Sequence, residues 1–580
     1  MKSKLCKAVV CFLCVAAMLS GTADAKTTSV HEKDLEDYVL SQMSPAHVSG
    51  MSISIVNSEK ELYCAAYGVA GKTSKDYVLG DLSKSFTAAA IMRLAEDSEL
   101  RLEDPVGDYL PEYTNISEIT INDLLHHTSG ISKYEVMSDI EASGKKGSFE
   151  YADANYNLLG EIIEAVTGAS YMEYISDNIL DPLEMESTYS IGNTEAFGGE
   201  LVKGYRNYFG FPFPYENKYD KEEDWMQIPS NYLISDVKDM GSYLRMFLQE
   251  GGNVLSKNSV KAMLNEGVPV EDDQNMENEI SSGKATYMMG WVEKKIDGER
   301  VLYHTGAVEN YTAAMILLPG KDLGISMMFN AADAIAGNKL IQQMEKGILS
   351  IEMDKKAENI DGKSFYVRHG VTDAVMVLLI LGAWMPIFLM AIWIKKRKNN
   401  LWSPLGIGMD AAVHIVLPTV LLIVLKQAFP VMWMKRFLPT VYYVAIAVIV
   451  SLYLGAAIKA AVMVYYAATV PDADAGEVDV KQVDSAEEQE KKAKKKEEKA
   501  RKSDKAEKSG EEAEKPEKAH KSDKAERKEE EAEKPEKAHK SDKAEKKEEK
   551  AEKPEKVQKS DKKEKSDKAQ ESEDRKNGES

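Results

Sequence analysis

Two long uncharged runs in the last third of the chain constrain the fold more than any other sequence feature. Each has 21 residues, at 374–394 and 438–458. At about 1.5 Å per residue, a helix of that length crosses the roughly 30 Å hydrocarbon core of a bilayer. The basic residues 395–398 follow the first run directly. This pattern predicts membrane spans at 371–394 and 438–458, the first with its basic end in the cytoplasm.

A shorter apolar run at 409–425 predicts a further span, the alternative being a re-entrant or interfacial segment. It contains Asp410, His414 and Pro418. Ionisable residues inside a membrane can be functional, but here we expect the Asp and the His to lie near the cytoplasmic edge, where they are tolerated. Three spans would place the C-terminal tail in the cytoplasm, the topology we expect, and two would place it outside the cell.

The first 25 residues have the pattern of a secretory signal peptide, the alternative being an uncleaved anchor. A basic start precedes an apolar core at 8–19 and a small–x–small site at 23–25. Three of the four cysteines lie in this segment, so cleavage would leave only Cys64. A mature chain with one thiol has no intrachain disulfide and no cysteine-built metal site. Residues 26–363 are therefore expected to form a domain outside the cytoplasm.

The tail at 470–580 has a composition unlike the rest of the chain. From residue 471 onward it carries 33 basic and 36 acidic residues, and the sequence Ala-Glu-Lys-Pro-Glu-Lys begins at Ala513, Ala532 and Ala551, a repeat of 19 residues. Too few apolar residues are present to offset the entropy of ordering. We expect a disordered or solvated helical spacer, and the sequence does not identify protein partners for it.

Residues 26–366 are strongly acidic and mixed in their periodicity. They carry 29 basic and 56 acidic residues, an excess that would repel phosphates and argues against a nucleic-acid partner. Alternating residues at 51–56 and 61–69 predict a β-hairpin, and the spacing after Ser83 predicts a helix. Further patterns predict a helix at 156–166 and strands at 301–304, 311–318 and 324–329. These elements predict an α+β domain whose sheet combines N- and C-terminal strands.

Seven short motifs occur in order along this domain: 80–88 (GDLSKSFTA), 102–106 (LEDPV), 119–130 (ITINDLLHHTSG), 151–153 (YAD), 157–164 (NLLGEIIE), 181–185 (DPLEM) and 304–306 (HTG). With them, residues 31–350 resemble the serine β-lactamase and penicillin-binding-protein superfamily, particularly its class C β-lactamase and D-alanyl-D-alanine carboxypeptidase-like branch. The resemblance implies an antiparallel sheet flanked by helices, with a helical subdomain.

The first motif departs from this family at the position that matters most. A Ser-x-x-Lys pair at a helix start puts a hydroxyl nucleophile and an amine base on one face. The resemblance assigns the lysine to Lys84, but the residue three positions earlier is Asp81. Ser83 and Ser85 flank the lysine and cannot face it. The nucleophilic serine is therefore expected to be absent.

The other two catalytic motifs are partly kept. The resemblance assigns proton transfer to Tyr151, but the amide-orienting asparagine of the family is replaced by Asp153. It implies that His304 polarises a bound ligand and that the Ala307 N–H completes an oxyanion hole. The remaining substrate-binding positions that it implies are Thr305 and Gly306.

Four interpretations of Asp81 follow. The favoured one is an inert site, in which Asp81 caps the following helix and pairs with Lys84. Alternatively Asp81 is a general base or carboxylate nucleophile, or it binds a divalent cation together with Asp153 and His304. The two carboxylates could also share a proton. The favoured interpretation predicts neither a metal nor a cofactor.

These observations favour a catalytically impaired, membrane-anchored protein that binds a peptidoglycan-like peptide or a small acyl ligand outside the cell. The bilayer is its second expected partner. The first alternative is an active hydrolase, a peptidase, an esterase or a β-lactamase-like enzyme with a modified site. The second is a scaffold assembled through the spans and the tail.

Overall fold

The computed structural model describes residues 28–192, 199–217, 225–270, 284–398, 401–428 and 431–469. The predicted signal peptide at 1–25 and the tail at 470–580 lie outside the described residues.

An antiparallel sheet forms the centre of the domain. The strands are β1 (Gly50–Val56), β2 (Glu61–Gly68), β3 (Tyr77–Val78), β4 (Tyr189–Ser190), β5 (Tyr205–Tyr208), β6 (Phe211–Pro214), β7 (Leu233–Ser235), β8 (Val268–Val270), β9 (Ala285–Tyr287), β10 (Val292–Ile296), β11 (Glu299–Ala307), β12 (Thr312–Leu318), β13 (Leu323–Phe329) and β14 (Ala331–Ala332). Eight of them form one sheet in the order β2-β1-β13-β12-β11-β10-β9-β8. Pairing of the hairpin β1–β2 with β13 confirms the predicted α+β fold, whose sheet combines N- and C-terminal strands.

Helices cover both faces of this sheet. Within the domain they are α1 (Thr28–Gln42), α2 (Ser83–Glu96), α3 (Ile121–Leu125), α4 (Asp153–Thr167), α5 (Tyr171–Ile175), α6 (Ile228–Asn231), α7 (Val237–Leu248), α8 (Lys257–Asn265) and α9 (Gly337–Glu352). On one face, Ile53 of β1 shares an apolar cluster with Val39 of α1 and Ile348 of α9. On the other, a second cluster contains Phe86 of α2 and Met240 of α7. The helices predicted after Ser83 and at 156–166 are confirmed as α2 and α4.

Among the described residues, three helical stretches after the domain are long and apolar enough to cross a membrane: Lys363–Lys398, Pro404–Lys426 and Pro439–Thr469. The first consists of α10 (Lys363–Phe388) and α11 (Met390–Lys398). The second contains α12 (Pro404–Ala411), a π-helical turn at Ala412–Val416 and most of α13 (Leu417–Ala428). The short α14 (Val431–Phe437) then leads into α15 (Pro439–Thr469).

Four charged or ionisable side chains connect the three apolar stretches. Asp410 lies 2.8 Å from Arg397 of the first stretch and 2.8 Å from the Lys459 ammonium of the third. The same ammonium lies 2.9 Å from Nε2 of His414. Lys459 lies just after the apolar run that was predicted to end at residue 458, but its helix continues to Thr469. The Asp410 carboxylate neutralises the Lys459 charge. Asp410 and His414 therefore take part in contacts between the helices, which the sequence analysis did not anticipate.

Candidate active site

A tight backbone contact places Asp81 beside the end of β11. Asp81 lies in a 3₁₀ turn, Gly80–Leu82, that leads directly into α2. Gly80 has a φ of +60°, and a Cβ there would lie 2.7 Å from the Ala307 backbone nitrogen. A Cβ on Gly306 would lie 2.3 Å from the Leu79 carbonyl oxygen. Only glycine fits this approach, which brings the Asp81 side chain to the Ala307 N–H.

Lys84 lies between two carboxylates. Its ammonium is 2.7 Å from Asp81 Oδ1 and 2.6 Å from Asp153 Oδ1, and it donates to the Ser230 carbonyl at 3.1 Å. The Lys84 side chain is fully buried. Burial opposes the charge, but Asp153 and Asp81 raise the pKa of Lys84 above its ordinary value. Lys84 is therefore protonated, and it is no free base.

Four donors converge on the Asp81 carboxylate. Its Oδ1 accepts from Lys84, from the Tyr151 hydroxyl at 2.8 Å and from the Asn231 amide at 3.2 Å. Its Oδ2 accepts from the Ala307 N–H at 3.3 Å. Burial opposes ionisation, but chiefly Lys84 lowers the pKa of Asp81 below its ordinary value. The Asp81 carboxylate thus accepts from the backbone N–H that was predicted to complete an oxyanion hole.

The prediction that Asp81 caps α2 is wrong. Neither the 3₁₀ turn nor α2 has a side-chain cap hydrogen bond. Leu79 and Leu82, which precede the turn and α2, already have helical backbone angles, whereas a capping residue normally has extended ones. The carboxylate is consequently directed into the cleft. The predicted pairing of Asp81 with Lys84 is present.

Asp153 differs from Asp81 in its electrostatics. It begins α4 and is buried. Burial raises its pKa to about 6, against the opposing effect of Lys84. The Lys84 ammonium contacts both carboxylates. It therefore occupies the place that a shared proton or a divalent cation would take. Within the described ranges no group of three or more His, Cys, Asp or Glu side chains is placed to hold a metal ion, so the arrangement does not favour the cation-site alternative.

His304 is a neutral acceptor rather than the polarising group that was predicted. Burial lowers its pKa to about 4, with Lys84 acting in the same sense and Asp81 opposing. Its Nδ1–H donates to the Gly290 carbonyl at 2.7 Å, because a carbonyl can only accept. Nε2 therefore presents a lone pair, 3.3 Å from the Tyr151 hydroxyl. A lone pair cannot stabilise negative charge on a ligand.

A buried histidine that the sequence analysis did not single out packs behind Tyr151. Nδ1 of His127 accepts from the Ala152 N–H at 3.2 Å and from the Asn155 amide at 2.8 Å. This leaves Nε2–H to donate to the Tyr287 hydroxyl at 3.1 Å. The His127 ring centroid lies 4.4 Å from that of Tyr151. His127 thus positions Tyr151, and its positive φ of 55° marks a constrained turn.

The cleft has a volume of about 790 Å³, part of which is open to solvent. The predicted residues Asp81, Tyr151, Asp153, His304, Thr305 and Ala307 line it, with Lys84 buried beneath them and Gly306 packed against the turn. Sequence reasoning missed Asn231, Trp225, Trp433 and Phe437, which also line it. They lie outside the seven motifs, and no spacing in the sequence connects them to Lys84.

Comparison with known proteins gives the following similarities. A model of the beta-lactamase family matches residues 35–342. "Protein flp" of Staphylococcus aureus strain MW2 is 25% identical over 388 residues, which are 61% of this chain and 74% of that protein. "Unguisins hydrolase ungD'" of Aspergillus campestris is 22% identical over 384 residues, 58% of this chain and 69% of that protein. The octameric penicillin-binding protein homologue from Pyrococcus abyssi is 26% identical, with a TM-score of 0.49 over 57% of this chain and 78% of that one.

Proposed function

Because the chain belongs to the beta-lactamase family, we propose that it is a membrane-anchored member without the acyl-enzyme mechanism, and that it binds a peptidoglycan-like peptide or a small acyl ligand outside the cell. The observation that carries this proposal is the Asp81 carboxylate, which accepts from Lys84, Tyr151, Asn231 and the Ala307 N–H. In an acyl-transfer enzyme such donors would serve a nucleophile and an oxyanion.

The neighbouring hydroxyls do not replace the missing nucleophile. Ser83 Oγ donates to the Gly80 carbonyl at 2.8 Å and accepts from the Leu233 N–H at 3.2 Å. Ser85 Oγ lies 2.8 Å from the Tyr243 hydroxyl. Both serines are fully buried. A ligand in the cleft would meet the Asp81 carboxylate instead of a hydroxyl.

The charges of the site favour an uncharged ligand group next to Asp81. Two carboxylates face one ammonium there, so a ligand carboxylate at the same place would be repelled. An amide or ester retains hydrogen-bonding groups without that repulsion. Ordinary β-lactams carry a carboxylate, and we expect them to bind weakly.

Labelling of the full chain with a fluorescent penicillin and with a fluorophosphonate tests this proposal. We expect no covalent adduct by intact-protein mass spectrometry, while non-covalent binding of N-acetyl-D-alanyl-D-alanine amide is retained and is weakened by Tyr303→Ala in the cleft wall. A covalent adduct of either reagent on the folded parent protein would overturn the proposal.

The alternative is a working hydrolase that uses Asp81 as base or nucleophile, an activity class that the name of the fungal relative suggests. A carboxylate that accepts four hydrogen bonds and has a lowered pKa is a weak base, which disfavours this alternative. It predicts ester or amide turnover that Asp81→Asn abolishes. The first proposal predicts no turnover in either protein.

We further propose a multi-pass protein of the cell membrane, with the domain outside and the chain after Thr469 in the cytoplasm. The basic residues 395–398 at the far end of the first apolar stretch support this orientation. So does the contact of α14, between the second and third stretches, with the domain. Cysteines at 396 and 435 should react with an impermeant maleimide from opposite sides of the membrane. Reaction of both from one side would contradict this topology.

A further inference from the structure

The segment between the second and third apolar stretches is docked on the domain. Arg436 of α14 donates to the Tyr232 hydroxyl at 2.8 Å and lies 3.8 Å from the buried carboxylate of Glu309. In return, Arg206 of β5 donates to the carbonyls of Lys435 and Arg436 at 3.1 and 2.6 Å. These contacts fix α14 against the domain.

The docked segment contributes an aromatic wall to the cleft that contains Asp81. Trp433 and Phe437 line this cleft, and their ring centroids are 5.9 Å apart. Tyr134 continues the wall, 6.3 Å from Trp433 and 5.9 Å from Trp225. Phe437 lies two residues before Pro439, the first residue of α15. The wall therefore runs from the candidate site to the start of a membrane helix.

A second aromatic element lies beside the start of α15. The hairpin of β5 and β6 exposes Phe209, Phe211 and Phe213, which are 42%, 68% and 51% exposed. The Phe209 N–H donates to the Thr440 hydroxyl in the first turn of α15 at 3.2 Å. Phe209 has a φ of 51° at a turn position that normally takes Gly, Asn or Asp. Exposed apolar rings beside the start of a span are suited to insertion into the boundary between lipid headgroups and acyl chains.

We infer that the cleft takes an amphiphile presented by the bilayer. Its uncharged polar head lies at Asp81 and His304, and its acyl chain follows Trp433 and Phe437 toward the outer leaflet. This inference rests on the proposed function, because it requires that the cleft binds a ligand. It adds that the membrane segment determines specificity and that the binding site is complete only when α14 is docked.

Two photoreactive probes test the inference on the full chain in lipid nanodiscs. Both carry a diazirine on a D-alanyl-D-alanine amide head, and they differ only in an N-acetyl or an N-dodecanoyl group. We expect the dodecanoyl probe to label cleft peptides that contain residues 151 or 304. Trp433→Ala should reduce that labelling at least fivefold more than it reduces labelling by the acetyl probe. Lys435→Ala, on the exposed side of the same helix, is the matched control and should change neither.

A second variant covers the case in which Trp433→Ala does not fold. Phe437→Glu places a charge on the wall and should also reduce labelling by the dodecanoyl probe more strongly than labelling by the acetyl probe. Unchanged dodecanoyl labelling in both folded variants would overturn the inference and leave the proposed function standing. Absence of cleft labelling by either probe in the unmodified protein would contradict the proposed function as well.

Discussion

The Lys84 ammonium lies 2.7 Å from the Asp81 carboxylate, one helical turn away, in the interior of the domain. Spacing of three residues puts both side chains on one helix face. Asp81, at the position of the family's nucleophile, is thus the counter-ion of Lys84, at the position of the family's catalytic lysine.

Removal of the Lys84 charge should strongly destabilise the domain. Lys84→Ala leaves Asp81 and Asp153 facing each other without a cation, and breaking a buried ion pair in this way costs about 3 kcal/mol or more. Lys257→Ala is the control, because it breaks a pair with Glu250 in which both side chains are more than half exposed. Thermal unfolding in detergent should show a large decrease for the first variant and almost none for the second. Equal stability of the two variants would contradict the assignment of a buried pair.

Acidification should destabilise the protein through His304. Its pKa is lowered to about 4 from about 6.5, so the folded state binds the proton less tightly than the unfolded chain. The stability due to neutral His304 is complete above pH 6.5 and is lost as the pH falls toward 4. Over this range the loss amounts to about 3 kcal/mol at most.

The matched variant for this effect is His304→Asn, whose amide can still donate to the Gly290 carbonyl. Its thermal midpoint should decrease less than that of the parent between pH 6.5 and pH 4. Asp153, with a pKa raised to about 6, acts in the opposite sense in both proteins, so the difference between the two curves isolates His304. Parallel curves would mean that His304 titrates normally.

Asp410 should hold the three apolar helices together. Asp410→Asn removes the charge that Arg397 and Lys459 share, leaving two cations among the apolar helices. We expect a loss of about 2 kcal/mol, measured as a lower thermal midpoint and faster proteolysis in detergent. Asp373→Asn removes the same charge from the first stretch without breaking either ion pair, and should have a smaller effect. If the two variants behave alike, the cluster does not stabilise the bundle.

Periodicity predicted the parts of the structure that depend on local pattern. The hairpin β1–β2, the helix after Ser83 and the three C-terminal strands follow from residue spacing alone. The facing of Asp81 and Lys84 follows from the same rule. The prediction that Asp81 caps α2 was wrong because the 3₁₀ turn before α2 already has helical backbone angles. No residue type in the sequence specifies this feature.

Contacts between distant segments could not be predicted from the sequence. Lys459 ends an uncharged run, so a search for apolar windows stops one residue before it, and only the packed helices show that Asp410 neutralises it. Asn231 and Trp433 reach the cleft from segments that carry no recognisable motif. Their positions depend on how β7 and α14 pack, which is a tertiary property.

We expect the Asp81 and Asp153 carboxylates, and not a wider loss of the site, to prevent acyl chemistry. The most direct test is fluorescent penicillin labelling of the full chain and of its Asp81→Ser/Asp153→Asn variant, side by side. We expect no labelling of the parent protein and a mass adduct on residue 81 of the variant, lost when Lys84→Ala is added. Labelling of the parent, or a folded double variant that takes no label, would contradict it.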